Sequence, residues 1–126
     1  METLNDYFEN KKGLGVLSTA NAQGWVDAAI YSRPHVIDEH SVAFIMLDRL
    51  SHNNLQTNPH AAYLFVEQAE GYKGKRLYLT KIREEKDLAL IESMRRHRQP
   101  QSVANKETDE FLVYFRINKI RPLVGD

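Results

Sequence analysis

The segment from Val42 to Phe65 (VAFIMLDRLSHNNLQTNPHAAYLF) places two apolar runs on either side of a short polar stretch. This order predicts a strand, a short helix and a second strand. The first N–H groups of a helix lack partners within it, and the helix dipole adds about half a positive charge there. Residues 48–53 (DRLSHN) add a cation and neutral hydrogen-bond donors at this point. The segment therefore predicts an anion site suited to a phosphate group.

A second interpretation of the same residues stays open. Asp48 or Ser51 could cap the short helix with its own side chain, because Asp, Asn and Ser are the usual N-caps of any helix. The connection would then be an ordinary capped turn that binds nothing. The residues of the segment do not by themselves choose between these two interpretations.

The composition limits the class of protein. The 126 residues are enough for one domain, expected to span residues 1–126, and too few for two of ordinary size. The 17 Lys and Arg residues balance the 17 Asp and Glu residues, so no broad basic field exists to hold a nucleic-acid backbone. No apolar run reaches the roughly 18 residues of a membrane span, and the first residues lack the pattern of a signal peptide. Cysteine is absent, which fits a reducing cytoplasm. We expect a cytoplasmic protein that binds neither nucleic acid nor a membrane.

Hydrophobic periodicity and turn residues predict the order of the elements. Helices are predicted at residues 3–12, from Leu50 to Asn58 and at 84–97, and the polar segment 99–108 is predicted to be a loop. Six strands are predicted, at residues 14–20, 25–32, 42–47, 60–67, 75–83 and 111–117, with 119–124 as a candidate extension of the last. Consecutive strands joined by tight turns pair antiparallel. The pattern therefore predicts a mainly β fold, a small closed or partly open barrel with flanking helices.

Three stretches carry a resemblance to a known family. They are GLGVLSTANAQGWVDAAIY at 13–31, FIMLDRLSHNNLQTNPHAAYLFVE at 44–67 and FLVYFRINKIRPLVGD at 111–126. Together with the order of the elements, they resemble the pyridoxamine 5′-phosphate oxidase-like family, the FMN-binding split barrels. The N-L-x-x-N-P element, here Asn54 to Pro59, is the most recognisable piece. The resemblance covers nearly the whole chain and implies a six-stranded antiparallel split barrel that forms a homodimer, with FMN in the clefts between the subunits.

The resemblance also implies a set of binding residues. The flavin ring would lie along the end of the second strand and along the strand that precedes the short helix, and the phosphate would meet the first turn of that helix. The implied residues are Ile30, Tyr31, Ser32, Ile45, Met46 and Leu47 for the ring, and Arg49, Ser51, His52 and Asn53 for the phosphate.

Two positions depart from the family pattern, because Ala29 and Ser51 stand where many relatives carry a basic residue. Arg33 and Arg49 are candidate replacements, since a guanidinium group is permanently charged and its fork matches phosphate oxygens. The alternative for Arg33 is a surface salt bridge at the end of the strand. The alternative for His52 is a position beside the flavin instead of on the phosphate.

No catalytic residue can be identified from the sequence. The chain has no HExxH or HxH spacing for a metal site, no GxSxG elbow and no cysteine nucleophile. Its one G-x-G, at 13–15, precedes a predicted strand instead of following one. Any chemistry would thus be carried by a cofactor, and the leading hypothesis is an FMN-dependent oxidoreductase that acts on a small molecule. The alternatives are a non-catalytic flavin carrier or ligand-binding dimer, and a barrel that has lost FMN and serves as an interaction or haem-related module.

Overall fold

The computed structural model describes residues 2–95 and 109–126, which contain three helices and seven strands. The predicted loop at 99–108 and the predicted helical residues 96 and 97 lie outside this range. The elements are α1 Leu4–Asn10, β1 Gly13–Ala20, β2 Val26–Ile30, β3 His35–Asp38, β4 Ser41–Leu47, α2 Leu50–Thr57, β5 His60–Glu67, β6 Gly74–Glu85, α3 Leu88–Met94 and β7 Glu110–Pro122.

The seven strands form one antiparallel sheet in the order β2-β1-β5-β6-β7-β4-β3. The two edge strands β2 and β3 do not pair with each other, so the sheet stays unclosed along one side. Both edges lie at the ends of the connection between Ile30 and His35. The mainly β, antiparallel barrel predicted from the sequence is confirmed, with an open seam between the edge strands β2 and β3.

Two predictions about the elements were wrong, since the sheet has seven strands instead of six and one helix begins later than predicted. The strand β3 was missed, because a four-residue edge strand that follows Pro34 and pairs only with β4 is too short to show periodicity. The helix predicted from Glu84 begins only at Leu88, after the N-cap Asp87. Glu84 and Glu85 belong to β6, because the β6–β7 ladder continues to the pair Glu85 and Leu112. A tertiary pairing thus overrides a local helix signal.

The inner face of the sheet and α1 together build an aromatic core. Phe44, Tyr63, Phe65 and Phe115 are buried on the inner face, and Phe8 of α1 is fully buried against them. The rings of Phe8 and Phe65 meet edge to face with centroids 5.4 Å apart, an arrangement that aromatic quadrupoles favour. The core therefore fixes α1 and the barrel strands as one unit.

The outer face is divided between two surfaces. Ile91 of α3 packs on Ala43 of β4 and Leu112 of β7. The helix α3 therefore covers the β4–β7 part of the outer face. At the other end of the sheet, apolar side chains remain exposed, with Val26 at 74% and Ile30 at 67% of their full accessibility. None of the helices in the described residues combines the length and hydropathy that crossing a membrane requires.

Candidate functional site

The turn between β4 and α2 leaves a helix start without a side-chain cap. Arg49 is the N-cap residue of α2, and its side chain makes no capping hydrogen bond. The other two described helices differ: the side chains of Thr3 and Asp87 accept from the first turns of α1 and α3. The first-turn amides of α2 are thus available to an acceptor from elsewhere, and a guanidinium group stands directly beside them.

The end of β2 meets this helix start through Tyr31. The side chain of Tyr31 lies close enough to that of Ser51, which is buried in the first turn of α2, for the two to interact. Burial raises the pKa of Tyr31, while the interaction with Ser51 and the charge of Arg49 act in the opposite direction. Three residues implied by the resemblance, Tyr31, Arg49 and Ser51, are therefore close together in the structure. Tyr31 is distant from Arg49 and Ser51 in the sequence, and only the tertiary fold brings them together.

A buried tyrosine holds the chain that follows β2. The hydroxyl of Tyr63 donates to the carbonyl of Ser32 at 3.0 Å. Gly15 makes room for this hydroxyl, because a Cβ at that position would lie 1.9 Å from it. The glycine therefore permits the contact that fixes Tyr31 and Ser32 next to α2.

The N-L-x-x-N-P element anchors α2 to the sheet. Asn54 Nδ2 donates to Thr19 Oγ1 at 3.0 Å, and both side chains are buried. Leu55 packs into the main core, and Asn58 Oδ1 accepts from the amide of His60 at the start of β5. The most recognisable motif of the sequence thus has a structural role, which is to orient the helix whose start forms the candidate site.

His52 lies between two carboxylates instead of facing outward. Its Nδ1 is 3.1 Å from Asp48 Oδ1, and its Nε2 is 3.0 Å from Glu84 Oε2 on β6. The imidazole also stacks on Phe111, with centroids 4.0 Å apart and planes 13° from parallel. Both ring nitrogens are therefore engaged, and the side chain of His52 is not placed to donate to a phosphate.

Glu84 belongs to this cluster, and sequence reasoning missed it. Burial would raise the pKa of Glu84, but hydrogen bonds from Lys81, His52 and Gln56 lower it to about 2. Glu84 therefore stays ionised at neutral pH. The i, i+4 spacing of Asp48 and His52 is a sequence signal for one half of the cluster, whereas nothing local indicates Glu84, which is 32 residues from His52.

Arg33 lies at the C-terminal end of α1. Its guanidinium donates to the main-chain carbonyls of Phe8 at 2.7 Å and Lys11 at 2.8 Å, at the C-terminal end of α1. The predicted role as a phosphate ligand is therefore not supported by its placement. A cation at this end of a helix complements the dipole and the unpaired carbonyls.

The residues implied for the flavin ring are divided by the pleat of the strands. Met46 is fully buried in the barrel core, so its side chain is not placed to line a flavin site. Ile45 packs against the core beneath α3, and Leu47 is half-buried at the end of β4. Ile30 is exposed on the edge strand β2, and Asn53 is exposed on α2.

Comparison with solved structures gives the fold class. An FMN-binding protein from Syntrophomonas wolfei is similar with a TM-score of 0.73 and 16% identity, over 97% of this chain and 84% of that one. A candidate pyridoxamine 5′-phosphate oxidase from Lactobacillus delbrueckii is similar with a TM-score of 0.66 and 17% identity, over 96% and 99%. The chain has the fold of the pyridoxamine 5′-phosphate oxidase-like split barrels. HutZ, the haem storage protein of Vibrio cholerae, also has a similar structure, with a TM-score of 0.61 and 14% identity over 93% and 89%.

No protein-family model matches the chain. No curated protein matches it significantly. The relationship to the split barrels is thus visible in the three-dimensional fold.

The polar groups at the start of α2 indicate which kind of ligand the site can bind. Among the described residues, no group of three or more His, Asp or Glu side chains is placed to hold a metal ion. The donors gathered at the start of α2 are amides, a hydroxyl, a phenol and a guanidinium, which suit an anion. The site is therefore suited to binding and orienting an anionic cofactor.

Proposed function

We propose that this split barrel binds FMN, with the phosphate at the start of α2. The observation that carries the proposal is the uncapped first turn of α2, with Arg49 at its N-cap and Ser51 and Tyr31 beside it. The likeness to the Syntrophomonas wolfei protein, whose name describes it as FMN-binding, supports the choice of a flavin over a simple anion.

Each residue of the candidate site has a defined task in this proposal. Arg49 and the amides of residues 50–52 hold the phosphate, and Ser51 donates a further hydrogen bond to it. The flavin ring lies along residues 30–32, at the end of β2 beside the seam of the barrel. Tyr63 keeps Ser32 in place through the hydrogen bond to its carbonyl.

We further propose that the protein is an oxidoreductase acting on a small molecule. FMN supplies electron and hydride transfer at its ring system when it is bound, and the protein supplies binding and orientation. Asp48 and His52 lie at the start of α2 but are not proposed to transfer a proton. The cytoplasmic location expected from the sequence stays a prediction.

The exposed apolar surface supports a homodimer. Val26 and Ile30 on β2 point to the same outer face as Leu14 on β1, because their ladder partners on β1 share its side of the pleat. Soluble monomers seldom expose a contiguous apolar patch of this kind. A second copy packed on β2 and β1 would bury these side chains beside the end of β2, where the flavin ring is proposed to lie.

A second candidate function is haem binding, and one observation favours it. HutZ shares the fold and is named as a haem storage protein. A basic residue is missing at Ser51, so the phosphate grip of this chain relies on Arg49. A protein that binds hemin and not FMN would fit this candidate.

The decisive experiment is a visible spectrum of the purified protein, followed by parallel titrations with FMN, riboflavin and hemin. We expect saturable FMN binding that is at least about tenfold tighter than riboflavin binding, since a phosphate held by charged hydrogen bonds contributes more than about 1.4 kcal/mol. Equal affinity for FMN and riboflavin would contradict the phosphate site. Hemin binding without flavin binding would replace the proposal with the second candidate.

A further inference from the structure

A carboxylate stands directly next to the uncapped start of α2 without capping it. Asp48 precedes the N-cap Arg49, and its side chain is 59% exposed. Aspartate commonly bonds the backbone N–H two residues ahead of it, and it is among the best helix-capping residues. Asp48 is therefore the nearest competitor within the chain for the amides that the proposed phosphate would use.

The structure shows where this carboxylate goes instead. Asp48 Oδ1 is 3.1 Å from Nδ1 of His52, one turn into α2. The imidazole cannot easily move, because its Nε2 is 3.0 Å from Glu84 Oε2 and its ring stacks on Phe111. Gln56 adds to the hold, since its amide donates to the carbonyl of His52 at 3.0 Å and to Glu84 Oε1 at 3.1 Å.

We propose that His52 is a positioning residue that holds the Asp48 carboxylate away from the first-turn amides of α2 and so keeps them open to a phosphate. This inference rests on the proposed function, because it explains why the Asp48 side chain does not occupy the amides to which the phosphate is proposed to bind. His52 itself does not touch the phosphate. A second effect has the same direction, since an imidazole hydrogen bond offsets the negative charge of Asp48 beside an anion site.

Two substitutions at position 52 separate the contacts of the ring. His52→Asn retains an N–H donor near the place of Nδ1 and can reach Asp48, whereas His52→Gln places its amide near Nε2 and can reach only Glu84. We expect His52→Gln to reduce the preference for FMN over riboflavin by about fivefold to tenfold, the effect of a gained N-cap. His52→Asn should keep most of the wild-type preference for FMN, because its amide can still hold Asp48. A purely structural role of His52 would affect FMN and riboflavin alike.

Removing the competitor is the matched control. In the double variant His52→Gln, Asp48→Ala, the preference for FMN should return to at least that of the wild type. A His52→Gln variant that keeps the wild-type preference, or a loss that Asp48→Ala does not reverse, would overturn the inference.

A measurement without flavin keeps this inference distinct from the proposed function. Amide hydrogen exchange of Leu50 and Ser51 should slow in His52→Gln, because Asp48 then caps them, and should recover in the double variant with Asp48→Ala. Unchanged exchange in His52→Gln would contradict the positioning role. If the wild type shows no preference for FMN while the exchange results hold, the proposed function fails and the role of His52 in placing Asp48 stands.

Discussion

The guanidinium of Arg33 donates to the carbonyl of Phe8 at 2.7 Å, which ties the end of β2 to the end of α1. A second bond from the same nitrogen reaches the carbonyl of Lys11 at 2.8 Å. Arg33 therefore closes the C-terminal end of a helix whose Phe8 fills the core. The residue that the sequence offered as a phosphate ligand is a link between two elements.

Arg33→Ala should lower the free energy of unfolding by about 1–3 kcal/mol, the usual effect of losing hydrogen bonds from a charged donor. Urea unfolding measures this change. The preference for FMN over riboflavin should stay unchanged in the folded variant. A selective loss of FMN affinity would return Arg33 to the phosphate site.

Arg49→Ala should weaken FMN binding and leave stability unchanged, the opposite of Arg33→Ala. We expect FMN affinity to fall about tenfold, because one charge-assisted contact to the phosphate is lost. Riboflavin affinity and the free energy of unfolding should change little, since Arg49 is exposed and caps nothing with its side chain. Parallel titrations of Arg33→Ala and Arg49→Ala form a matched pair. Equal losses for FMN and riboflavin in Arg49→Ala would remove this residue from the site.

Gly15→Ala should destabilise the protein strongly. The added Cβ would lie 1.9 Å from the hydroxyl of Tyr63, a fully buried side chain that cannot yield without disturbing the core. Overpacking of this kind costs about 3 kcal/mol. Thermal and urea unfolding would show the loss.

Gly24→Ala is the control for this substitution. Gly24 has φ of 86° with open space around it, so alanine there meets backbone strain of about 1–2 kcal/mol and no clash. Equal losses in the two variants would mean that the contact of Tyr63 with Gly15 does not restrict position 15.

Ile30→Asp should dissociate the proposed dimer. The substitution places a charge at the end of β2, within the exposed apolar surface that includes Val26 and Leu14, where burial against a second copy would leave it unpaired. Sedimentation velocity of wild type and variant at one concentration gives the oligomeric state. Leu88→Asp is the control, because Leu88 is equally exposed at 65% but lies at the start of α3 on another surface. A wild type that sediments as a monomer would refute the dimer.

The cluster around Glu84 predicts the acid sensitivity of the fold. Hydrogen bonds lower the pKa of Glu84 from 4.5 to about 2 against the effect of burial, so its stabilising contribution is complete above pH 4.5 and is lost as the pH falls towards 2. The free energy of unfolding of the wild type should therefore decrease more steeply across this interval than that of Glu84→Gln. At neutral pH the variant should be less stable by about 1–3 kcal/mol. Parallel slopes in the two proteins would contradict the assignment.

Local patterns in the sequence identified most of the elements and indicated the start of α2 as a candidate site. The apolar runs around residues 42–47 and 60–67 and the polar stretch between them predicted β4, α2 and β5, which the structure contains with nearly the same bounds. The helix start at Arg49 was predicted as an anion site, and the structure leaves it uncapped. These features depend on neighbouring residues, so hydrophobic periodicity and capping preferences are sufficient to indicate them.

Contacts between distant residues could not be derived in this way. Glu84 reads as the start of a helix, yet the ladder with β7 draws it into β6 and places it against His52. Arg33 was predicted to bind a phosphate or to form a surface salt bridge, yet the packing of Phe8 in the core brings the end of α1 to it. Side chains far apart in the chain meet only after strand register and core packing are established, which is why the partners of Arg33, His52 and Glu84 were decided by the folded barrel.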